Sequence, residues 1–231
     1  MEQVDGSSSA PAEHHAVRFY ENDKSLARIV AGFLHEGFDS GSPGIVVATA
    51  NQRAEILREL NDRSCDVVAL ERSHDLVLLD AEETLSTFMT DGKPNARKFT
   101  DEMCQVIGRV CRGRTNCTVR IFGQMVDVLW QQGERDAAIR LEVLWNQLAQ
   151  TEAFSLFCGY AIGSFYKDAG LKDICAQHSH IVSADGKATR VTPAASHANR
   201  RGSADPDACE GESTWCTDLR NGRGASARSG A

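Results

Sequence analysis

Short runs of β-branched and aromatic residues alternate with longer amphipathic stretches from residue 16 to residue 183, and that alternation leaves few folds open. Ala16–Tyr20, Ile45–Thr49, Leu76–Asp80, Thr118–Phe122 and Phe154–Tyr160 read as strands, with Asp66–Leu70 a weaker one and Ser179–Ser183 an edge strand. Ile45-Val-Val-Ala-Thr49 lacks polar alternation, as a strand covered on both faces should. Between the strands, Lys24–Glu36 carries Leu26, Ile29, Val30, Phe33 and Leu34 at helical spacing, with Asn22 or Asp23 available as its cap. Further helices are expected from an Asn51 cap to Asp62, over Glu82–Met89, Asn95–Arg112 and Lys167–Gln177, and as a pair reaching Ala149 that breaks at Gly133. Strands separated by helices pair in parallel through crossovers. The expected fold is therefore α/β and three-layered, a mostly parallel sheet with helices on both faces.

The 231 residues suffice for one domain and a tail. Residues 1–13 read as disordered, 14–183 as the folded domain, and 184–231, where apolar periodicity ends, as a disordered tail. A net charge of −7 disfavours a direct nucleic-acid-binding face. No apolar run approaches bilayer length and no leader opens the chain, so a cytoplasmic protein without membrane contact is expected. The cysteines form no CxxC pair; Cys104, Cys111, Cys117, Cys158 and Cys175 lie in or beside apolar segments and read as reduced core thiols.

Chemistry is sparse. Lys24-Ser25, where the first strand meets the first helix, matches the end of a phosphate loop. The preceding Phe19-Tyr-Glu-Asn-Asp23 has no glycine and two carboxylates, so a nucleotide hydrolase on Lys24, Ser25 and Asp80 is the weaker reading. Asp80 is more simply a strand-end cap for the helix at Glu82. His14, His15, Cys158, Cys175, His178 and His180 could form a soft metal site, although capping or packing is the simpler account, and no resident metal or cofactor is expected. A Cys158–His178 nucleophile pair has no local support. Trp130 and Trp145 on consecutive helices suit a demanding core or an apolar pocket wall. Ligands of parallel sheets bind beyond the carboxyl ends of strands, where Tyr20, Asp80, Gly123, Gln124 and Tyr160 are expected.

Several short motifs occur together: His15-x-Val-x-Phe-Tyr20, Phe33-Leu-x-Glu-Gly37, Leu79-Asp-Ala81, Phe88-Met-x-Asp-Gly92, Arg120-x-Phe-Gly-x-Met-Val126, Leu129-Trp130, Leu141-Glu142, Leu144-Trp-Asn146 and Cys175-x-x-His178-Ser-His180. In combination, over residues 14–182, they resemble the MEDS domain, the sensory domain of methanogens and methylotrophs. The resemblance implies a degenerate RecA/KaiC-like fold without a phosphate loop, no catalysis, and sensing of small hydrocarbon derivatives for a signalling or transcriptional partner. Gln124 replaces a Glu usual in that family, and Cys158-Gly-Tyr-Ala161 lacks its usual proline. The ligand-binding residues expected are His15, Tyr20, Asp80, Gln124, Trp130, Trp145, Cys175, His178 and His180, with no catalytic residue. The remaining rival is a ligand-free, anti-sigma-like interaction domain.

Overall fold

In the computed structural model, residues 15–164, 170–183 and 185–191 are described. The strands are β1 (His15–Tyr20), β2 (Gly44–Ala48), β3 (Leu76–Asp80), β4 (Met89–Thr90), β5 (Lys93–Pro94), β6 (Val119–Gly123), β7 (Phe154–Ala161), β8 (His180–Val182) and β9 (Ala188–Arg190). The helices are α1 (Asp23–Asp39), α2 (Ala50–Asp62), α3 (Val67–Arg72), α4 (Ala81–Phe88), α5 (Ala96–Val110), α6 (Met125–Gln131), α7 (Arg135–Leu148) and α8 (Leu171–Gln177). Seven strands form one sheet in the order β3-β2-β6-β7-β1-β8-β9, and every neighbouring pair is parallel except β8 with β9. The expected α/β architecture is present.

Strand alternation sends side chains to two separate cores. Leu26, Val30 and Leu34 of α1 and Ile56 and Leu60 of α2 pack with Val46, Phe122 and Phe157 on one face. Helices α4 to α8 cover the other face, over Val47, Ile121, Leu156, Cys158 and Tyr160. The second core holds an edge-to-face aromatic series, in which Phe99 lies 5.3 Å from Phe88 and 5.0 Å from Trp145, and Trp145 lies 5.8 Å from Phe154. Each such pair adds about 0.5–1.5 kcal/mol beyond its burial.

Two of the short motifs explain each other structurally. The Arg120 guanidinium donates to the Phe33 carbonyl at 2.7 Å and lies over the Phe33 ring. A Cβ at Gly37 would meet Arg120 Cδ at 2.7 Å, so a larger residue there would push the arginine off this path.

Four expectations change. Residues 67–72 form α3 rather than a strand, because Asp66 accepts from the Ala69 amide at 3.0 Å and Ala69-Leu-Glu-Arg72 are good helix formers. Thr49, not Asn51, caps α2. β8 is not an edge strand, since β9 pairs with it beyond the boundary drawn at residue 183. Cys111 and Cys117 are joined in a disulfide across the turn after α5, and Cys104 is disulfide-bonded as well, so these three are not reduced thiols. Residues 1–13, His14 and most of the tail, with Cys209, Trp215 and Cys216, lie outside the described residues. Among the described residues no helix is long and apolar enough to cross a membrane.

Candidate functional site: two buried polar networks

The larger anomaly of the second core is a carboxylate. Glu142 lies one helical turn from Ala138 and Trp145 on the buried face of α7, and its side chain is fully enclosed. Four side chains from three other elements converge on it. Tyr160 donates to Oε1 at 2.8 Å. His15 Nε2 stands 3.1 Å from Oε2, and His178 Nε2 stands 3.4 Å from Oε1. The Cys158 thiol lies 3.6 Å from Oε2 and 3.5 Å from His15 Nε2. Parallel pairing of β1 with β7 sets His15 beside Leu156 and brings it to Cys158, while the end of α8 delivers His178. The two imidazole rings are 4.1 Å apart.

Outer hydrogen bonds orient both rings. His178 Nδ1 faces the Ile174 carbonyl at 2.7 Å, and a carbonyl only accepts, so Nδ1 carries the proton. The Asn146 amide donates to the Gln177 carbonyl at 3.0 Å, which turns its own oxygen to His15 Nδ1 at 2.8 Å. His15 and His178 therefore both direct Nε2 at Glu142. Burial alone would favour the neutral acid of Glu142, but His178, His15 and the Tyr160 hydroxyl outweigh it and hold the carboxyl down at about 2. Burial pulls His178 down to about 4, against the attraction of Glu142. Burial and the Glu142 charge push the Cys158 thiol and the Tyr160 hydroxyl well up. A protonated, enclosed thiol is the opposite of an activated nucleophile.

A second network closes the carboxyl edge of the sheet. Asp127 of α6 is fully buried and accepts from Tyr20 at 2.7 Å, Gln131 at 2.8 Å and the Ala161 amide at 3.0 Å. Gln124 donates to the Tyr20 hydroxyl at 3.2 Å and accepts from the Thr49 amide at 3.1 Å. The ends of β1, β6 and β7 and the start of α2 are thus stitched together. Burial raises Asp127 despite its three donors. It also raises Tyr20, which Asp127 reinforces.

At the β1–α1 junction only Glu21 and Asn22 separate strand from helix, and Asn22 Oδ1 accepts from the Ser25 amide at 2.9 Å. The amide that would greet a phosphate is already capped, and both linking residues are exposed.

The expected site residues separate into groups. His15 and His178 meet in the first network, and Tyr20 and Gln124 in the second. His180 reaches the first indirectly, through the Ser179 hydroxyl at 2.9 Å from its Nδ1. Trp130 packs edge-on against Tyr160 at 5.9 Å, beside the first network. Asp80 is instead the cap of α4, accepting from the Glu82 and Glu83 amides, and pairs with Arg53 at 2.8 Å. Trp145 packs edge-on against Phe99 and Phe154. Cys175 is half-buried on α8 and outside the convergent group. Sequence reasoning passed over Glu142, Asn146 and Asp127.

Gly170, just before α8, presses on Trp130. Its φ is 94°, and a Cβ there would stand 2.3 Å from the indole. Gly170→Ala is expected to lower stability by about 1–3 kcal/mol through strain and displaced packing, read as a urea midpoint shift. A neutral result would mean that the α8 start does not press on the ring.

The chain matches, over residues 14–179, the family model described as "MEDS: MEthanogen/methylotroph, DcmR Sensory domain". No curated protein sequence matches it. Among solved structures it is similar to a KaiC-like protein of the hyperthermophilic archaeon Pyrococcus horikoshii OT3. That similarity has 15% identity and a TM-score of 0.49, and covers 73% of this chain and 70% of that one.

Proposed function

The chain belongs to the MEDS family of sensory domains, and from that premise we propose that it is a non-enzymatic sensor. It binds a small hydrocarbon-derived molecule and passes the bound state to a signalling or transcriptional partner. The observation that carries this reading is the buried Glu142 network. An ionised carboxylate in a core is costly where an apolar side chain would fill the same space, so its convergence with two histidines and a tyrosine argues for recognition. The capped, glycine-free β1–α1 junction argues against nucleotide chemistry.

Trp130 supplies the apolar wall and the coupling. It touches Tyr160, which holds Glu142, and it abuts Gly170, which starts the helix that ends at His178. A ligand that moves the indole would shift α8 and change the surface offered to a partner.

A melting screen over one- and two-carbon alcohols, aldehydes and halides, dichloromethane included, tests the reading. A true ligand at about 100 times its Kd adds about 2.7 kcal/mol of stability. Folded Trp130→Ala is expected to lose that response. No shift across the series, or an undiminished one in the variant, would refute this reading.

A further inference from the structure

We infer that His15, Glu142, Cys158 and His178 together bind one divalent transition-metal ion of zinc type. This goes beyond the sensory reading and stands whether or not an organic ligand binds. The donor atoms of the four side chains all lie within 4.8 Å of one another. Ligand atoms around a tetrahedral ion with bonds of about 2.0–2.3 Å stand about 3.3–3.7 Å apart. Glu142 Oε2 already stands 3.1 Å from His15 Nε2 and 3.6 Å from Cys158 Sγ, and those two are 3.5 Å apart, while His178 Nε2 is 3.4 Å from the other oxygen, Oε1. Small side-chain shifts would close the set.

Hydrogen bonding points the same way. His178 Nε2 is buried, aimed at the group, and makes no hydrogen bond, although Glu142 Oε1 is 3.4 Å away. With Nδ1 committed to the Ile174 carbonyl, Nε2 of the neutral ring that burial favours can only accept, and the carboxylate facing it has no proton to give. His15 Nε2, with its Nδ1 held by Asn146, also points at the group and meets the Cys158 thiol at 3.5 Å. One proton could bridge only one of these contacts; a cation satisfies all of them. Charge also balances, because a divalent ion with the Glu142 carboxylate and a Cys158 thiolate is neutral. Binding releases the thiol proton to solvent. The outer bonds from Asn146, the Ile174 carbonyl and Tyr160 are the second layer that orients ligating groups in metal sites. Two imidazoles, one thiolate and one carboxylate suit zinc or cobalt rather than magnesium or calcium.

The test uses the full chain, stripped with chelator under reductant and titrated with Co(II). One equivalent per chain should bind and give a thiolate-to-cobalt charge-transfer band with tetrahedral d–d absorption. Cys158→Ser should remove the charge-transfer band, while Cys65→Ser and Cys175→Ser should leave it. His178→Ala should abolish stoichiometric uptake, with His178→Gln as the alternative should the alanine variant unfold. Asn146→Ala, which keeps all four ligands, should weaken affinity roughly 10–100-fold. No uptake by the folded chain, a band that survives Cys158→Ser, or uptake that survives both His178 variants would overturn the site. None of these outcomes depends on the organic-ligand screen.

Discussion

Glu142→Ala is expected to lower the stability of the metal-free protein by about 3–5 kcal/mol, the usual effect of deleting one member of a buried charged set. The side chain is fully enclosed, so its removal opens a cavity inside the core. Its loss removes the acceptor to which the Tyr160 hydroxyl now donates at 2.8 Å, and leaves His15 Nε2 and His178 Nε2 facing a void. For a chain of this length the melting temperature should fall on the order of 10 °C. Glu142→Gln keeps the shape and an acceptor for Tyr160, and can donate to one imidazole, so a smaller loss of about 1–3 kcal/mol is expected. Equilibrium urea unfolding at neutral pH, with the slope unchanged between variants, reads both. Equal and small losses would mean that the four groups are independent neighbours rather than one coupled network.

Much of this frame is legible in the sequence, because local signals suffice for it. Ile45–Thr49 and Leu76–Asp80 announce themselves by composition, and Asn22 and Asp80 by position before an amphipathic run. Where the reading fails, another local term wins. Val67-Val68 favours a strand, but the Asp66 cap and the helix formers after it prevail, leaving Val68 exposed. The site is less legible because it is built from separations that no pattern records. His15 and Cys158 are 143 positions apart and meet only through the β1–β7 register. A usable signal did exist for Glu142 and Asp127. Glu142 shares the helical face of Ala138, Leu141 and Trp145, and Asp127 sits inside Val126-Asp-Val128. An acid on an apolar face must find partners, and searching for those partners would have led to the histidines. The tryptophans show the reverse. Size alone marked both, yet Trp130 packs on Tyr160 of the polar network while Trp145 packs on Phe99 and Phe154.

Stability of the metal-free protein should fall as pH drops below 6.5, before the usual carboxylate range is reached. His178 is held at about 4 in the folded chain by burial, against an ordinary 6.5 in the unfolded one. Above 6.5 neither state binds the proton, and the contribution of the neutral, buried imidazole is complete. Below 6.5 the unfolded chain takes up the proton first, so stability declines until the folded group also titrates near 4. The slope approaches about 1.4 kcal/mol per pH unit, and the loss across the window is about 3 kcal/mol. Glu142, held at about 2 against an ordinary 4.5, adds a second decline as pH falls from 4.5. Asp127 acts oppositely, because burial raises it and protonation there relieves an unfavourable charge. Its effect belongs to the acid end and cannot cancel the decline that begins at 6.5. Urea midpoints from pH 8 to pH 5 separate the terms, since only His178 among the three titrates in that range. His178→Gln should start from lower stability and lose the decline between 6.5 and 5. An equally steep decline in the variant, or a wild-type midpoint that rises on acidification, would show that His178 is not the neutral, lone-pair-bearing group described.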